Sequence, residues 1–478
     1  MFNKSDLIKI NDYLWEIPKS FRNDMLVPAR IYASEKMLQE IEQGAIEQLI
    51  NVATLPGIVK HSLAMPDIHS GYGFVIGGVA ATEYPDGIIS PGGIGYDQNC
   101  GVRLLKSEYT EKEIKPYLDK LTTEIQKEVP SGLGKGRQIK LTIEEIDRIL
   151  EGGVPDLVEK AYGEGEDIEN CEERGKMEES DASVVSDLAK KRGRDQLGTL
   201  GSGNHFCSLE KVVEIYDEKI AKVFGLFKDQ VVIMIHTGSR GLGHQNCTDY
   251  LRLVMGAVKR YGIKLPDREL AYVPFNSSEG QRFFKAMSAA CNFAWANRQM
   301  ISFYVRKAWQ KVLSKKIKLD LLYDVAHNIA KIEEHEINGE MTKLIVHRKG
   351  ATRAFPPGHP EIPEKYRSVG QPVLIPGTMG TASYILAGTE KSKEAFYSTC
   401  HGAGRAMSRH QAKREISSRE VLQQLTKKGI IVKSGSFSGL AEEAPLAYKN
   451  IDEVVEIVHE AGLAKKIAQL QPLAVIKG

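Results

Sequence analysis

The sequence contains no Cys-x-x-Cys pair, no apolar run of membrane-spanning length and no internal repeat. Its six cysteines, at 100, 171, 207, 247, 291 and 400, form no regular framework. That argues against a disulfide scaffold and points to free thiols in a reducing compartment. The N-terminus, MFNKSDLIKIND, is too polar for a signal peptide, so the expected location is cytoplasmic, with no membrane association. Excess charge of one sign is also missing. The chain carries 64 Lys and Arg against 62 Asp and Glu, a formal net charge of +2, so any nucleic-acid binding must come from a local patch. With 42% hydrophobic and 26% charged residues, wholesale disorder is excluded.

What the chain has in quantity is glycine set among polar residues. Lys60–Val79 and Ile88–Leu105 are dense in Gly and Pro between short β-type runs, and they carry Asp67, His69, Asp97, Asn99 and Cys100. Gly198–Phe206 (GTLGSGNHF) carries Asn204 and His205. Two apolar strand-like runs end in histidine: QVVIMIH at His236 and LDLLYDVAHN at His327. Val373–Leu386 places Thr378, Thr381 and Ser383 among glycines, and Tyr397–Arg409 (YSTCHGAGRAMSR) puts His401 before Gly402, Ala403, Gly404 and Arg405. That last stretch is expected to open a helix whose free backbone N–H groups meet a phosphate.

Helical spacing is expected at Glu35–Val52, Lys112–Val129, Thr142–Ile149, Asn246–Gly262 and Glu279–Lys315, the last with aromatics that read as a buried stripe. Residues from about 108 to 196 read as a charged helical insertion, with Gly163–Ser180 as a solvated acidic loop and a basic cluster at Lys190, Lys191, Arg192 and Arg194. Strands and helices do not alternate regularly, so the expected class is α+β, with mixed β-sheets. Length alone suggests several domains. Polar candidates spread from 67 to 477 favour one catalytic body with that insertion.

Strand ends deliver side chains to one edge of a sheet. Asp97, Cys100, His205, His236 and His327 therefore form a candidate metal set, able to serve two ions through one bridging thiolate. Thiolate with imidazole suits Zn(II) or Fe(II) before Mn(II) on affinity alone. The loops GTLGSGNH, HTGSRGLG and PGTMGTAS offer N–H groups and hydroxyls to phosphates, though none is a Walker A loop or a Rossmann fingerprint. Metal ligands and phosphate cradles together suggest phosphoryl or nucleotidyl chemistry.

The order GGIGYDQNCGVR, GSGNHF, HTGSRGLGH, DVAHN, PGTMGTASY, HGAGR, APLAYKN and a terminal KG resembles the RtcB family of tRNA-splicing and RNA-repair ligases, from about Pro66 to Gly478. The resemblance implies a GTP- and Mn(II)-dependent ligase with two ions per site. It would join RNA 2′,3′-cyclic phosphate or 3′-phosphate ends to 5′-hydroxyl ends. Asp97, Cys100, His205, His236 and His327 would hold the metals, with Cys100 bridging. His401 would take GMP from GTP, and Asp67, in the Met-Pro-Asp motif, would assist proton or leaving-group chemistry. Asn204, Asn328, Thr378 and Ser383 would hold the nucleotide phosphates, as would the Gly402–Arg405 loop. Tyr448 would stack on guanine and Lys477 would reach the base or its linkage. RNA is the expected partner, with an archease-type activator protein as a further one and the chain as a monomer.

The chain departs from the family pattern after GNHF. The family continues with an apolar residue and Glu, whereas Cys207-Ser208-Leu209-Glu210 follows here. Arg192, Arg194 and Arg240 are candidate RNA-phosphate contacts. The competing readings are an enzyme that caps 3′-phosphate ends with GMP without sealing, a metal-dependent phosphoesterase, and a non-catalytic RNA-binding scaffold. A scaffold needs no nucleophile, and a phosphoesterase would leave His401 idle.

Overall fold

The Gln230–Thr237 strand is buried at every position, as its apolar run at 231–235 requires when both faces are covered. It lies inside an eight-stranded sheet. In the computed structural model, which describes residues 2–132, 134–138, 140–315, 317–437 and 439–478, that sheet runs Asp320–Ala326, Gly101–Thr110, Gln230–Thr237, Phe206–Ile215, Ala464–Lys477, Ser383–Gly388, Pro372–Ile375, with Ile431–Ser434 added parallel to Ala464–Lys477. Side chains alternate across it: Cys207 and Leu209 enter one apolar cluster, Phe206 and Val212 another.

A second, seven-stranded sheet orders Ile8–Asn11, Leu14–Ile17, Ala29–Tyr32, Ser62–His69, Ile76–Glu83, Glu340–Lys349, Asn328–Ile337. Val79 and Val346 from this sheet share one buried cluster with Ile375 and Leu386 of the other and with Val454 and Val458 of the Ile451–Glu460 helix. The two sheets are thus parts of one core. Helices and mixed sheets in this arrangement make the α+β class expected from the sequence.

The Ser278–Leu313 helix has 36 residues, about 54 Å of axis. Ser277 caps it by accepting from Gly280 N. Phe283, Phe293, Trp295 and Trp309 are all buried, so the aromatic stripe is core, as expected. Arg298 of this helix braces the other sheet from behind. Its guanidinium meets both oxygens of Asp324 and donates to Asn99 O, Thr237 O and Asn99 Oδ1 at 2.8, 2.8 and 2.9 Å. Arg103 donates to the same Asp324 at 2.6 Å.

Several expected boundaries move. Glu35–Val52 divides into Glu35–Leu38 and Gln43–Val52, and the helix expected from Asn246 begins at Arg240. The helical insertion starts after Thr110, because the Gly101–Thr110 strand ends there and Thr110 N donates to Glu113 Oε2 at 2.8 Å. Residues 133 and 139 of that insertion lie outside the described residues. The stretch 163–180 is not a solvated loop. Asp167 pairs with Arg306 at 2.6 Å, and Glu172, fully buried, pairs with Lys331 at 2.6 Å. Cations buried in the body need these carboxylates, which pull the acidic segment inward. Lys190 likewise leaves the expected basic surface to pair with Asp147 at 2.7 Å. Among the described residues, no helix is long and apolar enough to cross a membrane.

Candidate active site

Four neighbouring strands of the eight-stranded sheet end at one edge. Register pairs Gly101 with Thr237 and with Ala326, and Phe206 with His236. Cys100 precedes the first strand, His205 precedes the Phe206 strand, His236 nearly ends its own and His327 follows Ala326. The alternating directions of an antiparallel sheet therefore bring strand starts and strand ends to the same rim. Cys100 Sγ lies 3.3 Å from both His205 Nε2 and His236 Nε2. His236 Nε2 and His327 Nε2 are 3.3 Å apart, and His205 Nε2 is 2.8 Å from Asp97 Oδ2. Two donor groups result, Cys100/His236/His327 and Asp97/Cys100/His205, with Cys100 common to both.

The electrostatics fit metal ions. Burial pushes His236 and His327 well below the ordinary imidazole value, keeping their lone pairs free. Burial and Asp97 push the Cys100 thiol well up, so a cation is needed to make it a thiolate. Burial opposes charge on Asp97, but His205 and its hydrogen bonds bring that carboxyl below the usual value. His327 Nδ1 is buried without a hydrogen-bond partner among the described residues. Two lone-pair nitrogens facing each other beside a thiol make poor hydrogen-bond partners and good ligands.

His401 joins this edge through a two-stranded ribbon. Ser398–Cys400 pairs with Ala351–Arg353, and Gly350 N donates to His327 O at 2.7 Å. The His401 and His327 rings stand 4.9 Å apart. Asp67, fully buried at the seven-stranded sheet, accepts from His401 N at 2.9 Å, from His401 Nδ1 at 2.5 Å and from Gly402 N at 3.3 Å through one oxygen. Asp67 is therefore turned onto His401 and not onto the metal donors. Gly404, at φ +69°, lets the loop cross Asp67; a Cβ there would lie 2.2 Å from Asp67 O. The expected helix does not open at Gly402. It begins at Arg409 behind a Ser408 cap, because the loop first wraps Asp67. Cys400 is buried and its thiol raised by burial, a packed residue.

His401 and four of the metal candidates line one cavity of about 470 Å³, together with Asn204, Asn328, Thr378, Gly402, Ala403, Gly404, Arg405, Tyr448 and Lys477. Asn328 is held by both ends: Nδ2 donates to Asp97 O at 3.1 Å and Oδ1 accepts from Gly350 N at 2.9 Å. Ser383 stands behind the wall, where its Oγ accepts from Gly377 N at 3.1 Å. Arg405 is committed to the protein. It donates to Tyr448 OH at 3.1 Å, Glu442 O at 2.8 Å and Met407 O at 3.0 Å, and lies over the Tyr448 ring.

The residue that the sequence did not reveal is Glu443. It lines the cavity, is buried, and ties together Tyr448 (2.5 Å), Lys477 (3.4 Å) and Arg405 (3.4 Å). In sequence, Glu442-Glu443 reads as a solvated pair, although it directly precedes the APLAYKN motif. Arg409 also lines the cavity and was not singled out. The three arginines expected at RNA lie outside it. Arg240 donates to Thr199 Oγ1 at 3.0 Å, Arg192 to Gln245 at 2.9 Å and Arg194 to Leu141 O at 2.5 Å. Glu210 shares its strand face with Ser208, whose hydroxyl donates to it at 2.6 Å; burial raises its carboxyl to about 7.

On an α+β scaffold, a five-donor cluster with a shared thiol that could hold metal faces a carboxylate-bonded histidine across one cavity, the arrangement of a candidate metal-dependent enzyme site. The sequence model of the family described as "tRNA-splicing ligase RtcB" matches residues 48–478. A protein of that name from Methanococcus maripaludis is 53% identical over 99% of this chain and 100% of its own length. Namesakes from Archaeoglobus fulgidus and Thermococcus kodakarensis are 54% and 52% identical, each over 99% of both chains. The chain belongs to the RtcB family of ligases.

Proposed function

We propose that the protein joins RNA 2′,3′-cyclic phosphate or 3′-phosphate ends to 5′-hydroxyl ends, using GTP and Mn(II), through a GMP carried on His401. The observation that supports this most directly is the 2.5 Å contact of Asp67 with His401 Nδ1, in the same cavity as the Cys100 donor groups.

With Nδ1–H donated to Asp67, the Nε2 lone pair is left for attack. The new P–N bond forms at the α-phosphorus of GTP as the bond to pyrophosphate breaks, and Asp67 stabilises the resulting positive ring. After water has opened any 2′,3′-cyclic phosphate by breaking its P–O2′ bond, an RNA 3′-phosphate oxygen attacks that phosphorus and the P–N bond breaks, returning His401 to its starting state. The 5′-hydroxyl finally attacks the activated 3′-phosphorus and GMP leaves. Asp97, Cys100, His205, His236 and His327 would hold the two Mn(II) ions, which neutralise phosphate charge when bound. Asn204, Asn328 and Thr378 orient phosphates, while Tyr448 and Lys477, fixed through Glu443, face the base.

The test is transfer of label from GTP carrying a radioactive α-phosphate, with Mn(II) and no RNA. The wild type is expected to gain an acid-labile, base-stable label that His401→Ala lacks. An undiminished label in His401→Ala refutes the nucleophile. Adding RNA with a cyclic phosphate and a 5′-hydroxyl end then separates sealing from capping.

A further inference from the structure

The catalytic cavity does not end at its own rim. Tyr72 and Tyr96 wall it on one side and also wall a second groove of about 650 Å³ that runs along the outer face of the Arg240–Tyr261 helix. Three cations stand around that groove: Arg252 and Lys259 on the helix and Arg268 on the following loop, all exposed. None of them has an ion-pair or hydrogen-bond partner among the described residues, whereas the neighbouring Arg260 pairs with Glu279. One carboxylate, Glu269, also lines the groove. Glu269 accepts from Gly73 N at 3.2 Å, and Asp267 accepts from Glu269 N at 2.9 Å.

The aromatic wall is fixed in place. Tyr96 stacks on His244 with ring centres 4.9 Å apart and 26° between planes, and Tyr72 meets Tyr96 edge-on at 5.9 Å. Tyr72 keeps 36% of its surface exposed. Its loop is clamped from below: Lys349 Nζ donates to Tyr72 O and Phe74 O at 2.8 and 3.0 Å, and Gln48 exchanges two hydrogen bonds with Gly71. Gly73, at φ +65°, has Glu269 O where a Cβ would sit, 2.1 Å away. An exposed ring on a rigid loop loses little freedom when a base stacks on it.

We propose that this groove is the track for a single-stranded segment of the RNA substrate leading to the end being joined. One base stacks on Tyr72, and backbone phosphates lie against Arg252, Lys259 and Arg268. Arg252 and Lys259 are separated by seven positions, about two helical turns or roughly 10 Å on one face, so they meet different phosphates. Unpaired cations beside a sequence-tolerant stacking platform are what single-stranded nucleic acid requires. The Tyr72–Tyr96 wall that the groove shares with the His401 cavity gives the strand its destination. The proposal rests on the RNA-ligase reading above.

The test uses full-length protein and two 12-nucleotide RNA strands of about that size, one with a 3′-phosphate and one with a 5′-hydroxyl, read by fluorescence anisotropy over a salt series. Arg252→Glu/Lys259→Glu is expected to weaken at least one of them by about tenfold or more, and to flatten its log–log salt slope by roughly 1.4, the value for two lost contacts to a single strand. Tyr72→Ala should weaken the same strand by about tenfold while Tyr72→Phe keeps it, since stacking needs the ring and not the hydroxyl. Lys219→Glu/Lys228→Glu is the control for net charge; Lys228 lies at the end of the Gln230–Thr237 strand remote from the cavity. Wild-type affinity and slope for both strands in the Arg252/Lys259 variant, or an equal loss in the control, overturns the groove as an RNA track. A Tyr72→Ala protein that binds like the wild type overturns the stacking. GMP labelling needs no RNA, so a wild type that binds RNA through the groove but takes no label refutes the ligase reading alone.

Discussion

Asp67→Asn isolates what the carboxylate does for His401. In the wild type one oxygen of Asp67 takes three donors, the ring N–H at 2.5 Å and the backbone N–H groups of His401 and Gly402 at 2.9 and 3.3 Å. The amide is of similar size and can still accept, but it has no charge to stabilise the ring once phosphorus is attached. A hydrogen bond to a charged group contributes about 1.5–3 kcal/mol, more than its neutral counterpart. Loss of that advantage where positive charge develops predicts label formation from GTP slowed about 10- to 100-fold. Burial works against the Asp67 charge, yet His401 and its hydrogen bonds hold the carboxyl below the ordinary 3.8. A depressed carboxyl is ionised throughout the range from about pH 5 to 8, so its charge is present at every pH of the assay. The assay is the single-turnover rate of GMP labelling, with thermal melting to confirm folding. A ratio within about twofold refutes the orienting role.

Arg298→Met strips the buried donors from Asn99 and Thr237 and leaves Asp324 with Arg103 alone; it should lower unfolding free energy by about 3–5 kcal/mol, read as a denaturant midpoint. Cys100→Ala removes a donor from both groups and should abolish tight Mn(II) binding at both, whereas His205→Ala touches one, and metal content per chain distinguishes them. Glu210 is raised from 4.5 to about 7, so the folded protein holds a proton that the unfolded chain has released between those values. Stability therefore falls as pH rises through that window, by about 3 kcal/mol in all, and Glu210→Gln should remove this slope from the melting curves.

The clustering of the candidate metal donors was legible because strand-like runs ending in histidine are a local pattern, and an antiparallel sheet places such ends on one rim. The long helix was legible for a similar reason: apolar spacing over many turns admits few alternatives. Partners across the fold were not. Nothing near Asp67 in sequence indicates that it meets a histidine 334 positions away. Glu443 looked like half of a solvated acidic pair, and Glu172 like part of a solvated loop, yet each is buried against cations supplied from elsewhere. Charged residues are read as exposed by default, and that default fails where a distant cation is already buried. Arg405 fails in the opposite sense. An arginine after a Gly-rich turn suggests a phosphate, but here its fork is filled by Tyr448 and two backbone carbonyls.

The crossing of the chain between its sheets explains why the two halves of the chemistry can share one cavity. Asp320–Ala326 belongs to the eight-stranded sheet and Asn328–Ile337 to the seven-stranded one, and His327 is the residue between them. The metal donors other than His327 are fixed by the first sheet. Asp67, which orients His401, is fixed by the second. His327 gives its ring to the donor cluster and its carbonyl to Gly350 and Ala351, the start of the ribbon that ends at His401. Asn328 bridges the same seam from Asp97 to Gly350. A displacement of one sheet against the other would therefore alter the donor cluster and the setting of His401 together. The distance between His401 and the candidate metal donors is set by this crossover at His327 and not by the long segments of chain that separate them in sequence.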